Sequence, residues 1–159
     1  MIRKDREITD LKDIAEIIRR CDVCRLAYFD QEYPYIVPLN FGAAFDGDGM
    51  PTFYFHGATM GTKMELMAKN PKVGFELDRG HNLVTGDKAC DYSMEYESVC
   101  GTGTLSLLTD ESDKINALTV LMDQYAPGQQ HEFNMKMVAA TAITKLTVHS
   151  ITGKRMKMA

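Results

Sequence analysis

Tryptophan is absent from this sequence, and so is any apolar run approaching the roughly 20 residues that span a bilayer. There is no Lys/Arg-rich block either. Basic residues number 18 against 22 acidic ones, for a formal net charge of -4. A nucleic-acid partner therefore has no electrostatic footprint, and a membrane has no spanning segment to hold. The stretch Met1-Ile2-Arg3-Lys4-Asp5-Arg6-Glu7 lacks the apolar core of a secretion signal, so a cytoplasmic location is the expectation. No GxGxxG dinucleotide fingerprint occurs, nor any internal repeat. What is present is ordinary globular composition, 45% hydrophobic and 25% charged over 159 residues. That length supports one domain, residues 1–159, with a real hydrophobic core.

Four cysteines are present, and only Cys21 and Cys24 form a CxxC pair. A structural zinc site calls for a second pair of similar spacing, which Cys90 and Cys100 do not supply. A thioredoxin-like CxxC follows a strand and opens a helix, whereas this pair leaves a helix and enters a strand. Buried free thiols are the leading reading, with metal and redox roles as alternatives.

Thr9 or Asp10 caps a helix carrying Leu11, Ile14, Ile17 and Ile18 on one face. Val23 to Phe29 is β-branched and aromatic enough for a strand. Pro34 and Pro38 flank the next one, which continues from Leu39 to Phe45; those prolines place it at an edge, a bulge or a strand start. Asp46-Gly47-Asp48-Gly49 turns the chain into Thr52–His56, the other arm of a hairpin. Thr62-x-x-Glu65 reads as a capping box over a short helix that ends at Asn70-Pro71. Val73, Phe75 and Leu77 alternate as a half-buried strand, residues 79–95 read as a loop and an irregular lead-in, and Val99 to Leu107 form a long strand. Gly101 and Gly103 inside it point to a bend, or to close approach of a backbone or ligand. Asp110 opens a helix with Ile115, Leu118, Met122 and Tyr125 on one face, and a last strand spans about 143–152. Six strands joined mainly by hairpins predict an antiparallel sheet closing into a small barrel.

The segment richest in chemistry is Tyr54-Phe55-His56-Gly57-Ala58-Thr59-Met60-Gly61-Thr62-Lys63. A strand ends, two glycines shape a turn, and a helix begins, which exposes free N–H groups to an anion. Lys63 falls in the first helical turn, where a cation is disfavoured by roughly 0.3–1 kcal/mol. A bound phosphate would reverse that penalty; the plain alternative is a solvated lysine on a surface helix. His56, whose ordinary pKa is near 6.5, has two readings of equal weight. It is a proton donor to a substrate, or it fixes the turn by a hydrogen bond. Tyr92, Met94 and Tyr96 alternate at strand spacing, and a packed dimer interface is a plainer reading of them than a catalytic tyrosine.

Taken in order, Pro34-Tyr35-Ile36-Val37-Pro38-Leu39-Asn40-Phe41, Tyr54-Phe55-His56-Gly57-Ala58, Gly61-x-Lys63 and Asn70-Pro71-x-Val73 resemble the pyridoxamine 5′-phosphate oxidase-like flavin proteins. Within that superfamily the chain looks most like the Nim-type 5-nitroimidazole resistance group. Ala89-Cys90-Asp91-Tyr92-Ser93-Met94, Ser98-Val99-x-Gly101-x-Gly103 and Thr152-Gly153-Lys154 extend the resemblance over almost the whole chain.

The resemblance implies a mainly β fold, a six-stranded antiparallel split β-barrel of Greek-key type. It also implies a homodimer with FMN sites at the interface. Val37, Pro38, Leu39 and Asn40 would line the flavin by their backbone, with Phe55, His56 and Gly57 alongside. Gly61, Thr62 and Lys63 would bind the FMN phosphate. Tyr96, Ser98 and Lys154 would reach the partner's flavin. The implied activity is FMN-dependent reduction of a small acceptor such as a nitroimidazole, with NAD(P)H or a reductase as donor. A non-catalytic flavin- or haem-binding protein of the same fold is the alternative. Pyridoxamine 5′-phosphate oxidases carry a carboxyl-terminal Trp and Arg; with no Trp and only Lys154-Arg155 there, the vitamin-processing activity is not expected.

Overall fold

The structure is a computed structural model that describes residues 3–156. Met1 and Ile2, at the head of the stretch read above for a secretion signal, lie outside the described residues. After a short strand β1 (Glu7–Ile8), helix α1 (Leu11–Arg19) is capped by Asp10, whose carboxylate accepts from the Lys12 and Asp13 amides. The predicted face is the buried one: Ile14, Ile17 and Ile18 are sealed in the core. There follow β2 (Cys24–Asp30), β3 (Tyr33–Leu39), β4 (Gly42–Phe45), β5 (Pro51–Gly57), α2 (Thr62–Lys69) and β6 (Lys72–Val84). The chain then runs through β7 (Ser93–Leu107), α3 (Glu111–Tyr125), α4 (Met135–Ala140) and β8 (Ala142–Met156). No helix among the described residues is long and apolar enough to cross a membrane.

All pairings are antiparallel, and the sheet runs β3-β2-β6-β7-β8-β5-β4 with β1 added beside β8. Its two ends, β3 and β4, are consecutive in the chain and linked through Asn40 and Phe41 rather than by a ladder. The barrel is therefore split there, and the sheet does not close. The Pro34 and Pro38 signals are met by the edge position of β3, where a missing N–H costs no second ladder bond.

The strand count differs from the six expected: eight strands form among the described residues. The continuous strand expected through Phe45 breaks at Asn40 into β3 and β4. Residues 79–95, expected as a loop and an irregular lead-in, are strand at both ends and keep the loop at 85–92: β6 continues to Val84 across a bulge between Arg79 and Asn82, and β7 begins at Ser93. Gly80, at φ +71°, takes the bulge conformation that a glycine adopts without strain. A helix that the sequence reading lacked, α4, is capped by Asn134.

Alternation along the strands turns Leu26, Phe53, Phe55, Val73, Phe75, Leu77, Val99, Leu105 and Leu146 into one core with α1. Phe53 lies at its centre, 5.7 Å from the Phe41 ring and 5.2 Å from Phe75. Each such ring contributes roughly 1.5–3 kcal/mol by burial. Cys21 and Cys24 belong to the same cluster, as the leading thiol reading expects, and burial pushes the Cys21 thiol up to about 12; Cys90 and Cys100 depart from that reading and are exposed. On α3 the most buried positions are Ala117 and Leu121, so its packed face is turned from the expected Ile115–Leu118–Met122–Tyr125 row. Tyr125 instead works through its hydroxyl, which accepts from the Phe41 amide at 2.9 Å and donates to the Asp22 carbonyl at 2.8 Å. The Gln124 amide donates to the Cys21 carbonyl at 2.9 Å and so covers the exit of α1.

Gly42 marks a close contact between the sheet and the backbone of α3. A Cβ there would stand 2.5 Å from the Leu121 Cα and N and 2.7 Å from the Val120 carbonyl carbon. These are backbone atoms and cannot rotate away. Gly42→Ala is expected to destabilise the fold by about 1–3 kcal/mol in denaturant unfolding. Gly47→Ala, with nothing within 4 Å, should stay within about 0.5 kcal/mol of the parent. Equal unfolding of the two variants would contradict this packing.

Candidate functional site

Strand β5 delivers the candidate site. Phe53 and Phe55 face the core, so Tyr54 and His56 face outward, and His56 is exposed. Gly57 ends the strand, residues 58–62 stay exposed, and Gly61 at φ +116° and ψ 174° opens α2. That dihedral suits glycine and strains other residues. The expected capping box does not form. Gly61, not Thr62, is the N-cap, and no side chain caps the helix. Thr62 lies one residue inside, where its hydroxyl is past the capping position. The Met64 and Glu65 amides donate to the Gly61 carbonyl, at 2.9 and 3.1 Å, as the first turn closes. The amides of Thr62 and Lys63 precede that ladder and have no intrahelical acceptor.

Lys63 folds back over the turn: a Cβ at Gly57 would strike its ammonium nitrogen. Glycine at 57 is thus what leaves room for a cation against the strand end. Around this point Leu39, Phe55, His56, Gly57 and Lys63 line a common notch. Tyr28, Met64, Met67, Ala142 and Thr144 complete it. The sequence reading had not placed these five in a site, because three come from strands distant in sequence. Burial pushes the Tyr28 hydroxyl up to about 12, with smaller contributions from Cys24 and Tyr35. The enclosed space is only about 10 Å³, so it takes the edge of a ligand and not a ring system.

The other expected residues lie elsewhere. Val37 is half-buried beside the core, while Pro38 and Asn40 are exposed on the β3 edge. Tyr96, Ser98 and Lys154 form a group of their own. Ser98 pairs with Lys154 across β7 and β8, and the Lys154 ammonium stands 5.5 Å from the Tyr96 ring centre. Lys154, and secondarily Arg6, hold the Tyr96 hydroxyl below its ordinary pKa. His56 pairs with Ile143, and Lys154 is eleven residues further along β8. That is roughly 36 Å of extended strand.

Beside this group is a charge centre that the sequence reading missed altogether. Glu97, with a side chain only 5% exposed, accepts from Arg79 at 2.6 Å and from Arg155 at 2.7 Å, and pairs with Arg20 at 3.2 Å. Burial alone would raise the Glu97 carboxyl. The hydrogen bonds from Arg79 and Arg155, with the Arg20 charge, outweigh it and hold the pKa below 4.5. The only sequence signal was a glutamate at an inward-facing strand position, indistinguishable from a solvated one until the three arginines converge.

Comparison with known proteins now bears on the site. The pyridoxamine 5′-phosphate oxidase family profile matches residues 10–155. The chain belongs to that family. Among solved structures it is similar to a candidate 5-nitroimidazole antibiotic resistance protein from Bacteroides thetaiotaomicron. The two are 33% identical over 94% of this chain and 86% of that one, with a TM-score of 0.81. A FAD- and haem-binding protein from Mycobacterium smegmatis shares the fold at TM-score 0.84, 18% identity, and 96% and 74% coverage. So does a FAD-binding protein from Mesorhizobium loti, at TM-score 0.66, 23% identity, and 96% and 98% coverage. No curated protein sequence matches the chain.

The Glu97 centre makes this family member's stability depend on pH in a defined direction. A carboxyl held below its unfolded value stabilises above that value, and the contribution is lost as pH falls through the folded one. Glu97→Gln is expected to cost about 2–3 kcal/mol near neutral pH, less than a fully dry pair because the guanidiniums keep contact with water. The gap should shrink as pH falls below 4.5. Urea unfolding at both pH values checks it; an undiminished gap in acid would mean that packing, not charge, is the source.

Proposed function

We propose that the protein is an FMN-dependent oxidoreductase of the Nim-like type, working as a homodimer and reducing a small nitroaromatic acceptor. The observation that carries this reading is the Lys63 ammonium lodged over Gly57 beside an uncapped helix N-terminus. A phosphate at that point meets a positive charge, free first-turn amides and a turn without obstructing side chains. The residues therefore fit a flavin mononucleotide, with Gly61, Thr62 and Lys63 at its phosphate and Leu39, Phe55 and His56 toward its ring. A bound flavin supplies two-electron exchange.

Taking a nitro group to a nitroso group consumes two electrons and two protons and releases water. The electrons come from NAD(P)H or a reductase. His56, exposed next to Gly57, is the group able to hand over a proton. Tyr28, Leu39, Phe55 and Ala142 give the notch apolar surface beside the polar groups of His56, Lys63 and Thr144. Three features support the dimer. The notch is too shallow to enclose a flavin, and Tyr96, Ser98 and Lys154 are too far along the β7–β8 ladder to serve the same ligand within one chain. The sheet face bearing Ala27, Ile36 and Gly74 is flat and apolar enough to meet a second copy, with Ile36 59% exposed.

Lys63→Ala and Gly57→Ala should both weaken FMN binding by about tenfold or more, the second by displacing the ammonium. Riboflavin, which lacks the phosphate, should bind almost as before. Parallel loss of both ligands in a fluorescence titration would remove Lys63 from the phosphate. Under anaerobic conditions the FMN-loaded protein should reduce a 5-nitroimidazole faster than free FMN, and His56→Gln should lower kcat by about 10²-fold. Rates equal to free FMN would leave a flavin-binding protein without nitroreductase activity.

A further inference from the structure

The cations around Glu97 exceed what that carboxylate needs. Arg20 leaves the end of α1, Arg79 the bulge of β6, and Arg155 the end of β8, yet all three meet one buried side chain. Each guanidinium has five N–H donors. Their bonds to Glu97, with one from the Arg20 Nε to the Glu16 carbonyl, use a minority of them. All three side chains remain partly open to water, Arg20 at 44% and Arg79 at 33%. Arg20 and Arg79 line an open pocket together with Gly80, Asn82, Glu95 and Tyr96. The space over Gly80 is clear. Lys154 and Arg6 adjoin the Tyr96 hydroxyl. Arg20, Arg79 and Arg155 thus stand against Glu95 and Glu97, while Glu7 pairs in register with Lys154 and Asp5 lies 4.0 Å from Arg6. A local excess of positive charge in a chain of net charge -4 is a feature that needs a counterpart.

We propose that this pocket is a second phosphate-binding site, in which Arg20 and Arg79, aimed by Glu97, hold a phosphate ester of a nucleotide. The planar guanidinium fork matches a phosphate bidentately, where the Lys63 ammonium acts as a point charge. Glu97 is a positioning residue: it fixes the heads of the arginines without neutralising them. The site rests on the flavin reading only for which nucleotide arrives. Two carry a phosphate beyond the one assigned to Lys63: a nicotinamide donor with a 2′-phosphate, and FAD with its adenylate. Either would use the same fork.

The test is calorimetry on the full chain. FMN-loaded protein is titrated with NADP⁺ and NAD⁺, and flavin-stripped protein with FAD and FMN. Arg79→Gln is expected to weaken one phosphate-bearing member, NADP⁺ or FAD, by about tenfold or more, with FMN within about twofold. Loss for NADP⁺ identifies the donor as the source, and loss for FAD identifies the adenylate. Arg79→Lys, keeping the charge without the fork, should recover part of the affinity. Arg20→Gln should repeat the result should Arg79→Gln fail to fold, since two arginines remain on Glu97 in either variant. Parent protein that does not distinguish NADP⁺ from NAD⁺ or FAD from FMN overturns the proposal, and so does FMN affinity falling in step with the rest. Failure of FMN to bind at all, with NADP⁺ still held through Arg79, would sink the flavin reading and leave this site standing.

Discussion

Gly101 and Gly103 let β8 lie against β7 more closely than any side chain would permit. At Gly103 a Cβ would stand 2.5 Å from the Thr147 carbonyl oxygen and 2.8 Å from the Leu146 Cδ1. At Gly101 it would strike the Ser150 carbonyl oxygen and the Phe75 ring. The ladder shifts register between Thr102 and Gly103, so β8 bulges there and turns with the barrel. On this one ladder depend the core, through Leu105 and Leu146, the notch, through Ala142 and Thr144, and the Glu97 centre at the far end. The close approach is one of backbone to backbone within the chain, and the register shift beside it supplies the bend.

Much of the fold was legible because it is locally encoded. Asp10 and Asp110 cap where short polar side chains before an apolar row should cap, and Pro34 and Pro38 mark an edge. The misreadings have physical causes of their own. Asn82 and Glu95 pair in strands although the stretch around them is polar, because β6 and β7 project together beyond the core and their polar residues meet water. Thr62 lost the cap to Gly61 because the turn needs a positive φ, and glycine is the residue that takes it without strain. Phe41 left the strand pattern to be buried and bonded to Tyr125, a contact 84 positions distant.

The site was half legible for the same reason. His56, Gly57 and Lys63 are neighbours in sequence, so a broken local rule, a cation at a helix N-terminus, could be seen without coordinates. Tyr28, Ala142 and Thr144 reach the notch by sheet order alone. Glu97 is the extreme case: its partners Arg20, Arg79 and Arg155 come from three separate elements, and no spacing rule connects them.

The two places where the molecule breaks an electrostatic rule lie at opposite ends of β8. Lys63 opposes its helix dipole near the strand's start, and Glu97 is a buried carboxylate near its finish. Replacing a buried ion cluster by apolar residues is often neutral or stabilising, so the Glu97 network is weak evidence of a need for stability. Its value is better sought in what it orients. A rigid ladder holds the two centres too far apart for one small ligand in one chain. In a two-fold pair, however, contacts are reciprocal, so the far end of one ladder can stand beside the near end of the other. On the proposed dimer, one set of strands would then furnish both halves of each site, the point charge from one protomer and the guanidinium fork from its partner. The ladder's length would set the spacing between them.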